Sequence, residues 1–364
     1  MIKKIKKDIT ILAVGDNSDY DTFKKFNKEK RIFAGYGFDY VAIDYQRLFE
    51  GKAPQINTDK IIVFLFFPFY YWNKYIEHKN YKGVYGNHNF QRKFLRFWDN
   101  FDKKTKRYFA DKEILFINEP RLCAEYRDKF RISRRLDKFK IPQSRIYKIT
   151  SIKEIKNKLA KGHQLFLKPR YGSMGKGITF LSQFDWRTNF IYKDNRIISK
   201  RSDHGWKFKD VTGQNDFLRQ LLKKDILIQE AVESPIYKGN KIDIRVYTFF
   251  NKVLYIYPRR NKADRVTTNI SQGGQGDPGL LKFLPVSLIK KVKREAIKVS
   301  SRLGITLAGI DIIPEHNCKD LHVIDVNLFS GFPKRRRFNI TQSMAKELRR
   351  LHNKDKLHFR KSNG

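Results

Sequence analysis

Cysteine is nearly absent: Cys123 and Cys318 are the two in 364 residues, and neither stands in a CxxC pair. That scarcity excludes a disulfide framework and a cysteine zinc site, and it leads us to expect a reducing, cytoplasmic setting. Long apolar runs are missing too. The longest, residues 61–72, is interrupted by Pro68 and is too short to cross a bilayer. The opening MIKKIKKDITILAVGD is basic, but its apolar run is too short for a signal peptide. Acidic residues are scarce, 37 Asp+Glu against 77 Lys+Arg, for a net charge of +40. Such an excess suits a polyanionic partner, although a genome biased toward Lys, Ile and Asn accounts for it equally well.

What is present is a chain that can fold. Apolar residues make up 40% and there are 30 Phe, enough for a buried core and two or three domains. Apolar runs at 8–14, 40–43 and 61–67 alternate with helical patterns, which predicts a small open α/β domain over about 1–120. Residues 84–110 carry aromatic and basic side chains at near-helical spacing. They read as a solvated helix with an aromatic underside, with base stacking on nucleic acid as the alternative. Beyond Arg127 a helix stops before Pro142, and strands are expected at 144–147, 164–168, 178–182 and 226–232. The stretch 184–212 has no period and reads as an inserted basic loop. A basic run, KRRR, and a cationic helix close the sequence.

The segment LFLKPRYGSMGKGITF, 165–180, sets Lys168 at a strand end before Gly172, Ser173, Gly175, Lys176 and Gly177. It matches neither a Walker A loop nor GxGxxG. Glycines let backbone N–H groups approach anionic oxygens and a strand-end lysine adds a point charge, but a plain hairpin loop has the same composition. Lys176 reads as a surface charge. Two later hairpins bring charged side chains onto shared faces. In KIDIRVYTFFNKVLYIYPRRNK a turn at Asn251-Lys252 would set Asp243 opposite Arg260, with Arg245 on the same face. That group is either an ordinary cross-strand ion pair or a holder for a nucleotide and its transferring phosphoryl group. In LAGIDIIPEHNCKDLHVIDVN symmetric pairing sets Asp311 opposite Asp325, with Asn327 on the face of Asp325. Two adjacent carboxylates in apolar strands call for a hard divalent cation unless one of them faces solvent.

Taken in order, these elements resemble the ATP-grasp superfamily, in the branch of the ribosomal-protein glutamate ligase RimK and glutathione synthetase, over about 127–331. The resemblance implies an α/β (α+β) fold, two lobes (121–232 and 233–364) clasping ATP behind an N-terminal pre-ATP-grasp domain (1–120). It implies Lys129, in Arg127-Asp128-Lys129, and Lys168 as phosphate ligands under a lid containing Gly172, Ser173, Gly175 and Gly177. Glu230 and Ala231 would bind adenine through their backbone, Asp243 would contact the nucleotide, and Asn269 of N-x-x-x-G-G would lie near the phosphates. Arg245 and either Arg259 or Arg260 would serve catalysis. Asp311, Asp325 and Asn327 would hold Mg2+, two ions in the expectation, with Mn2+ as substitute. The sequence departs from the pattern at Asp325, where glutamate is usual, and at Thr267, where arginine is common.

What the resemblance implies in chemistry is an ATP-dependent ligase joining a carboxylic acid or amino acid to an amine or peptide through an acylphosphate. The charge suggests that the acceptor is acidic. Two alternatives stand beside it: a basic protein that binds nucleic acid or another polyanion on an ATP-grasp scaffold, and an ATP-grasp kinase. The oligomeric state is left open.

Overall fold

The computed structural model describes residues 8–16, 21–77, 84–200, 205–334 and 336–361, with the backbone alone at Asp21. The basic N-terminal residues, part of the 184–212 stretch and Arg335 of the KRRR run lie outside the described residues.

The strand Ile9–Gly15 is apolar along its length and buried on both faces, as expected for a central parallel strand covered by helices. It pairs in parallel with Asp39–Asp44 on one side and Lys60–Leu65 on the other, and Glu113–Phe116 extends the sheet beyond Lys60–Leu65. The chain therefore reverses its direction of travel across the sheet at the C-terminal end of Ile9–Gly15. The helix His88–Tyr108, capped by Asn87, buries Phe90, Phe94, Phe97, Trp98 and Phe101 against this unit. Those rings are spent on packing, so the base-stacking alternative for this helix fails.

A second sheet has the order Lys209–Asp210, Trp186–Thr188, Thr179–Leu181, Leu165–Pro169, Ile226–Glu230, Ile146–Tyr147. The stretch expected to be an inserted loop thus supplies strands. Of its aromatic residues, Trp186, Phe190 and Trp206 are buried and Phe184 is exposed, and strands of three residues or fewer are too short to leave a periodic signal in sequence.

The third sheet runs Gln275–Gly276, Lys252–Lys262, Asn240–Phe249, Leu307–Pro314, Leu321–Asn327. Helix Val286–Leu303 covers it with Leu288, Val292, Ala296 and Val299 and ends at Gly304, whose φ of 68° is the left-handed conformation that glycine adopts freely. One register differs from expectation. The turn residues are Phe250 and Asn251, both at positive φ, and a bulge at Tyr247/Thr248 shifts the ladder again, so that Asp243 faces Arg259 and Arg260 faces Ile242. The second hairpin pairs Asp311 with Asp325, with a bulge just beyond.

The helix Ile340–His352 sends Ile340, Met344, Ala345 and Leu348 into a core shared with Phe26, Phe33 and Phe64 of the N-terminal unit and Phe249 of the third sheet. The strand that follows, Arg360–Lys361, pairs with Glu113–Phe116. Among the described residues, no helix is long and apolar enough to cross a membrane.

Candidate functional site

The three larger sheets border one cavity of about 1340 Å³. From the second sheet come Lys168 and the glycine loop, from the third Asp243, Arg245, Arg259, Asp311, Asp325 and Asn327, and Lys129 enters from the start of helix Lys129–Lys138.

The third-sheet residues form a continuous ionic cluster. Arg259 Nε donates to Asp243 Oδ1 at 2.6 Å and Nη2 to Oδ2 at 2.5 Å. The same Nη2 stands 3.2 Å from Asp311 Oδ2. Arg245 grips Asp311 at two points, 2.7 and 2.8 Å. The Asn327 amide nitrogen lies 3.4 Å from Asp311 Oδ2, and Lys129 Nζ donates to Asp325 Oδ1 at 2.8 Å. Alternation along Asn240–Phe249 sets Asp243 and Arg245 on one face, and register sets Asp311 beside Arg245. Burial would raise the Asp311 carboxyl, but Arg245 and Arg259 overcome it and bring it down to about 2. Burial works against the charge of Arg259, and Asp243 and Asp311 more than restore it, holding the guanidinium well above its ordinary value. Among the described residues Arg259 Nη1 has no hydrogen-bond partner although it is buried. An unsatisfied buried donor of this kind is costly unless an anionic ligand accepts from it.

Lys168 Nζ donates to Gln229 Oε1 at 2.8 Å on the neighbouring strand. Burial, with Lys129 nearby, lowers its ammonium to about 8 against the pull of Asp325 and Asp311. A lysine poised there gains from an added anion.

The glycine loop is held from several sides. Arg127 donates to Tyr171 O at 2.9 Å and to Ser173 Oγ at 2.8 Å while its guanidinium covers the Trp72 ring at 4.5 Å. Asp128 receives Arg170 at 2.8 and 2.6 Å. Gly175 and Gly177 have φ of 68° and 71°, and a Cβ at Gly177 would meet Phe190 at 2.6 Å. A Cβ at Gly175 would come within 3.0 Å of Asn269 Nδ2, and Ser271 Oγ donates to Met174 O at 2.9 Å, so the loop lies against the Asn269 segment. Gly172 abuts Pro169.

Lys176 departs from the expected surface charge. It is 2% exposed, pairs with Glu77 at 2.5 Å and covers the Tyr85 ring at 4.9 Å. Glu77 and Tyr85 belong to the N-terminal unit, 99 and 91 positions before Lys176 in sequence, so only the fold reveals the contact. The other Glu77 oxygen accepts from Trp72 Nε1 at 2.5 Å.

A further expectation changes. Arg260 leaves the cluster and pairs with Asp277 at 3.0 Å, both side chains about one-third exposed. In the segment whose backbone the resemblance assigns to adenine, the amides of Glu230 and Ala231 donate to Arg145 O and Gln164 O, each at 2.8 Å, because this strand end is tied into the sheet and its flanking loop. The cavity lining continues along Val232, Glu233 and Ser234.

A match to the family described as YheC/D-like ATP-grasp spans residues 120–350, well over half of the sequence. The chain belongs to this ATP-grasp family. The ATP-grasp chain is also 34% identical over 94 residues to inositol-tetrakisphosphate 1-kinase 1 of Oryza sativa, a stretch that covers 25% of each protein. It is 29% identical over 92 residues to a probable alpha-L-glutamate ligase of Shewanella denitrificans, covering 25% of this chain and 28% of the relative. Both alignments thus span about a quarter of the relatives' length. Among solved structures, the ATP-grasp ligase PsnB complexed with a minimal precursor aligns over 94% of this chain and 99% of its own, with a TM-score of 0.57 and 14% identity. D-alanine–D-alanine ligase of Bacillus anthracis aligns over 95% and 99%, with a TM-score of 0.50 and 14% identity. At such identities the likeness is one of fold.

Proposed function

We propose that the protein is an ATP-dependent carboxylate-amine ligase that activates a carboxylic acid as an acylphosphate, releases ADP, and passes the acyl group to an amine with release of phosphate. The observation that carries this reading is the convergence of Lys129, Lys168, Arg245 and Arg259 with Asp311, Asp325 and Asn327 on one cavity beneath the glycine loop. No covalent enzyme nucleophile is required, and binding, orientation and charge stabilisation carry the reaction.

Asp311, Asp325 and Asn327 offer oxygen donors on paired strands, the donor type that Mg2+ prefers, with Asp311 also gripped by Arg245 and Arg259 and Asp325 by Lys129. Bound there, the ion would supply charge neutralisation on the phosphate chain. Lys129 and Lys168 bind phosphate oxygens, and Arg259, oriented by Asp243, turns its unpaired Nη1 to the oxygens that gain charge as phosphoryl transfer proceeds. Arg245 holds Asp311 in place. Adenine lies against the Glu230–Ser234 stretch. The glycine loop, braced by Arg127 and Lys176, excludes water that would hydrolyse the acylphosphate. Lys168→Ala and Asp311→Asn should each abolish substrate-dependent ADP release, and full activity in either variant would refute the assignment.

The net charge of +40 supports an acidic acceptor, and solved ligases of this fold include one complexed with a precursor peptide. Activity on such an acceptor should fall steeply with salt. The match to an inositol-phosphate kinase supports a second reading, direct phosphorylation of a polyanionic substrate by the same cluster. Product mass separates the two. A scaffold that only binds polyanions would have no use for Lys129 and Lys168 set beside the Asp311, Asp325 and Asn327 oxygens.

A further inference from the structure

We propose that Asp16 anchors a second subsite of the cavity, one that takes the ammonium group of the amine-bearing substrate. Asp16 follows Ile9–Gly15 at the point where the strand order reverses, the crevice in which open α/β sheets bind ligands. It is 7% exposed and lines the cavity. One oxygen, Oδ2, accepts from the Tyr70 backbone N–H at 2.7 Å. Among the described residues no Lys, Arg or His pairs with it, in a chain with 77 Lys+Arg against 37 Asp+Glu. Buried carboxylates elsewhere in this protein have cations: Asp243, Asp311, Glu77 and Glu347 each pair with Arg or Lys.

Its surroundings suit an organic cation. Phe23, Phe66, Phe67 and Phe69 line the same cavity, with Phe23 and Phe66 rings 5.3 Å apart and Phe67 and Phe69 rings 4.6 Å apart. Aromatic faces attract ammonium groups and exclude the water that would otherwise solvate the carboxylate. Burial, together with the nearby Asp44, pushes the Asp16 carboxyl up to about 6 against the Tyr70 amide, so a cationic ligand is needed to restore its ordinary affinity for charge. Lys168, Arg245 and Arg259 of the second and third sheets suit phosphate, whereas Asp16, at the end of Ile9–Gly15 and on the same cavity as Lys25, is a carboxylate that suits an amine.

That the bound amine is the acyl acceptor rests on the ligase reading; that the site binds an ammonium does not. The test uses the full chain at pH 7 and calorimetric titration with L-alaninamide, which carries an ammonium and no carboxylate, and with N-acetyl-L-alaninamide, which carries neither charge. ADP binding serves as the control for folding. Asp16→Asn keeps the shape and the acceptor for Tyr70 N–H. L-alaninamide should bind the wild type and lose about tenfold or more in affinity in Asp16→Asn, while ADP affinity stays unchanged and the acetylated probe binds neither protein. Asp16→Glu should recover part of the loss. Equal affinity of L-alaninamide for wild type and Asp16→Asn, or none for the wild type, overturns the subsite. If amine binding depends on Asp16 but no acyl donor yields an amide, the ligase reading fails and the subsite stands. If amide forms with an unchanged KM for the amine in Asp16→Asn, the subsite fails and the ligase reading stands.

Discussion

Arg259 is held by Asp243 at two points, at 2.6 and 2.5 Å, and its remaining nitrogen Nη1 is buried without a partner among the described residues. Thr268 Oγ1 donates to the same carboxylate at 2.6 Å. Asp243 thus spends three hydrogen bonds on its own protein, two of them on Arg259, and we assign it to positioning that guanidinium. Arg259→Lys should lower the rate of substrate-dependent ADP release by about 10² to 10³, because a point charge cannot bond Asp243 bidentately and also donate into the cavity. Asp243→Asn should act in the same direction, and initial-rate measurements check both.

Arg260 stands apart from this cluster, against half-buried Asp277. Partly exposed pairs contribute little, so Arg260→Ala should change the rate by less than about fivefold. Parallel assays of the two arginine variants decide which guanidinium serves the reaction.

Lys168 makes the site sensitive to pH. Its folded value near 8 lies below the usual 10.5, so the fold disfavours the charged form, and this group's contribution to stability rises with pH between those values. Nucleotide phosphates favour the charged form. ATP affinity should therefore fall as pH rises through about 8, and binding near pH 8.5 should take up protons. Calorimetry in two buffers of different ionisation enthalpy measures the uptake, and Lys168→Met should remove it.

The Glu77–Lys176 pair ties the glycine loop to the N-terminal unit with both side chains buried. Glu77→Gln takes the carboxylate away from a buried ammonium and should cost about 3–5 kcal/mol, seen as a lower unfolding midpoint. Lys176→Met combined with Glu77→Leu should recover much of that loss, and denaturant titration of the wild type and both variants checks it.

Much of this arrangement was legible in sequence where strand periodicity was unbroken. Asp311 does face Asp325, as symmetric pairing about Cys318 predicts, although the ladder reaches that register through a bulge between Asp311 and Ile312, and Lys168 stands at the expected strand end before the glycine loop. Counting failed at Asp243, because a positive-φ turn at Phe250-Asn251 and a bulge at Tyr247/Thr248 shift the ladder by one residue, and neither has a glycine to mark it. The buried role of Lys176 depends on Glu77 and Tyr85, which no local pattern links to it. The 184–212 stretch hid its strands because each is too short to display alternation.

The central claim, activation of a carboxylate by phosphoryl transfer, is tested most directly by oxygen tracing. The protein is supplied with ATP, Mg2+, a pool of amino acids labelled with 18O in their carboxyl groups, and an acidic peptide acceptor, and the released phosphate and the products are weighed. The ligase reading predicts ADP, inorganic phosphate carrying one 18O from the acid, and a product enlarged by an amide bond. A product that retains the phosphoryl group, with ADP but no 18O-labelled phosphate, would contradict it.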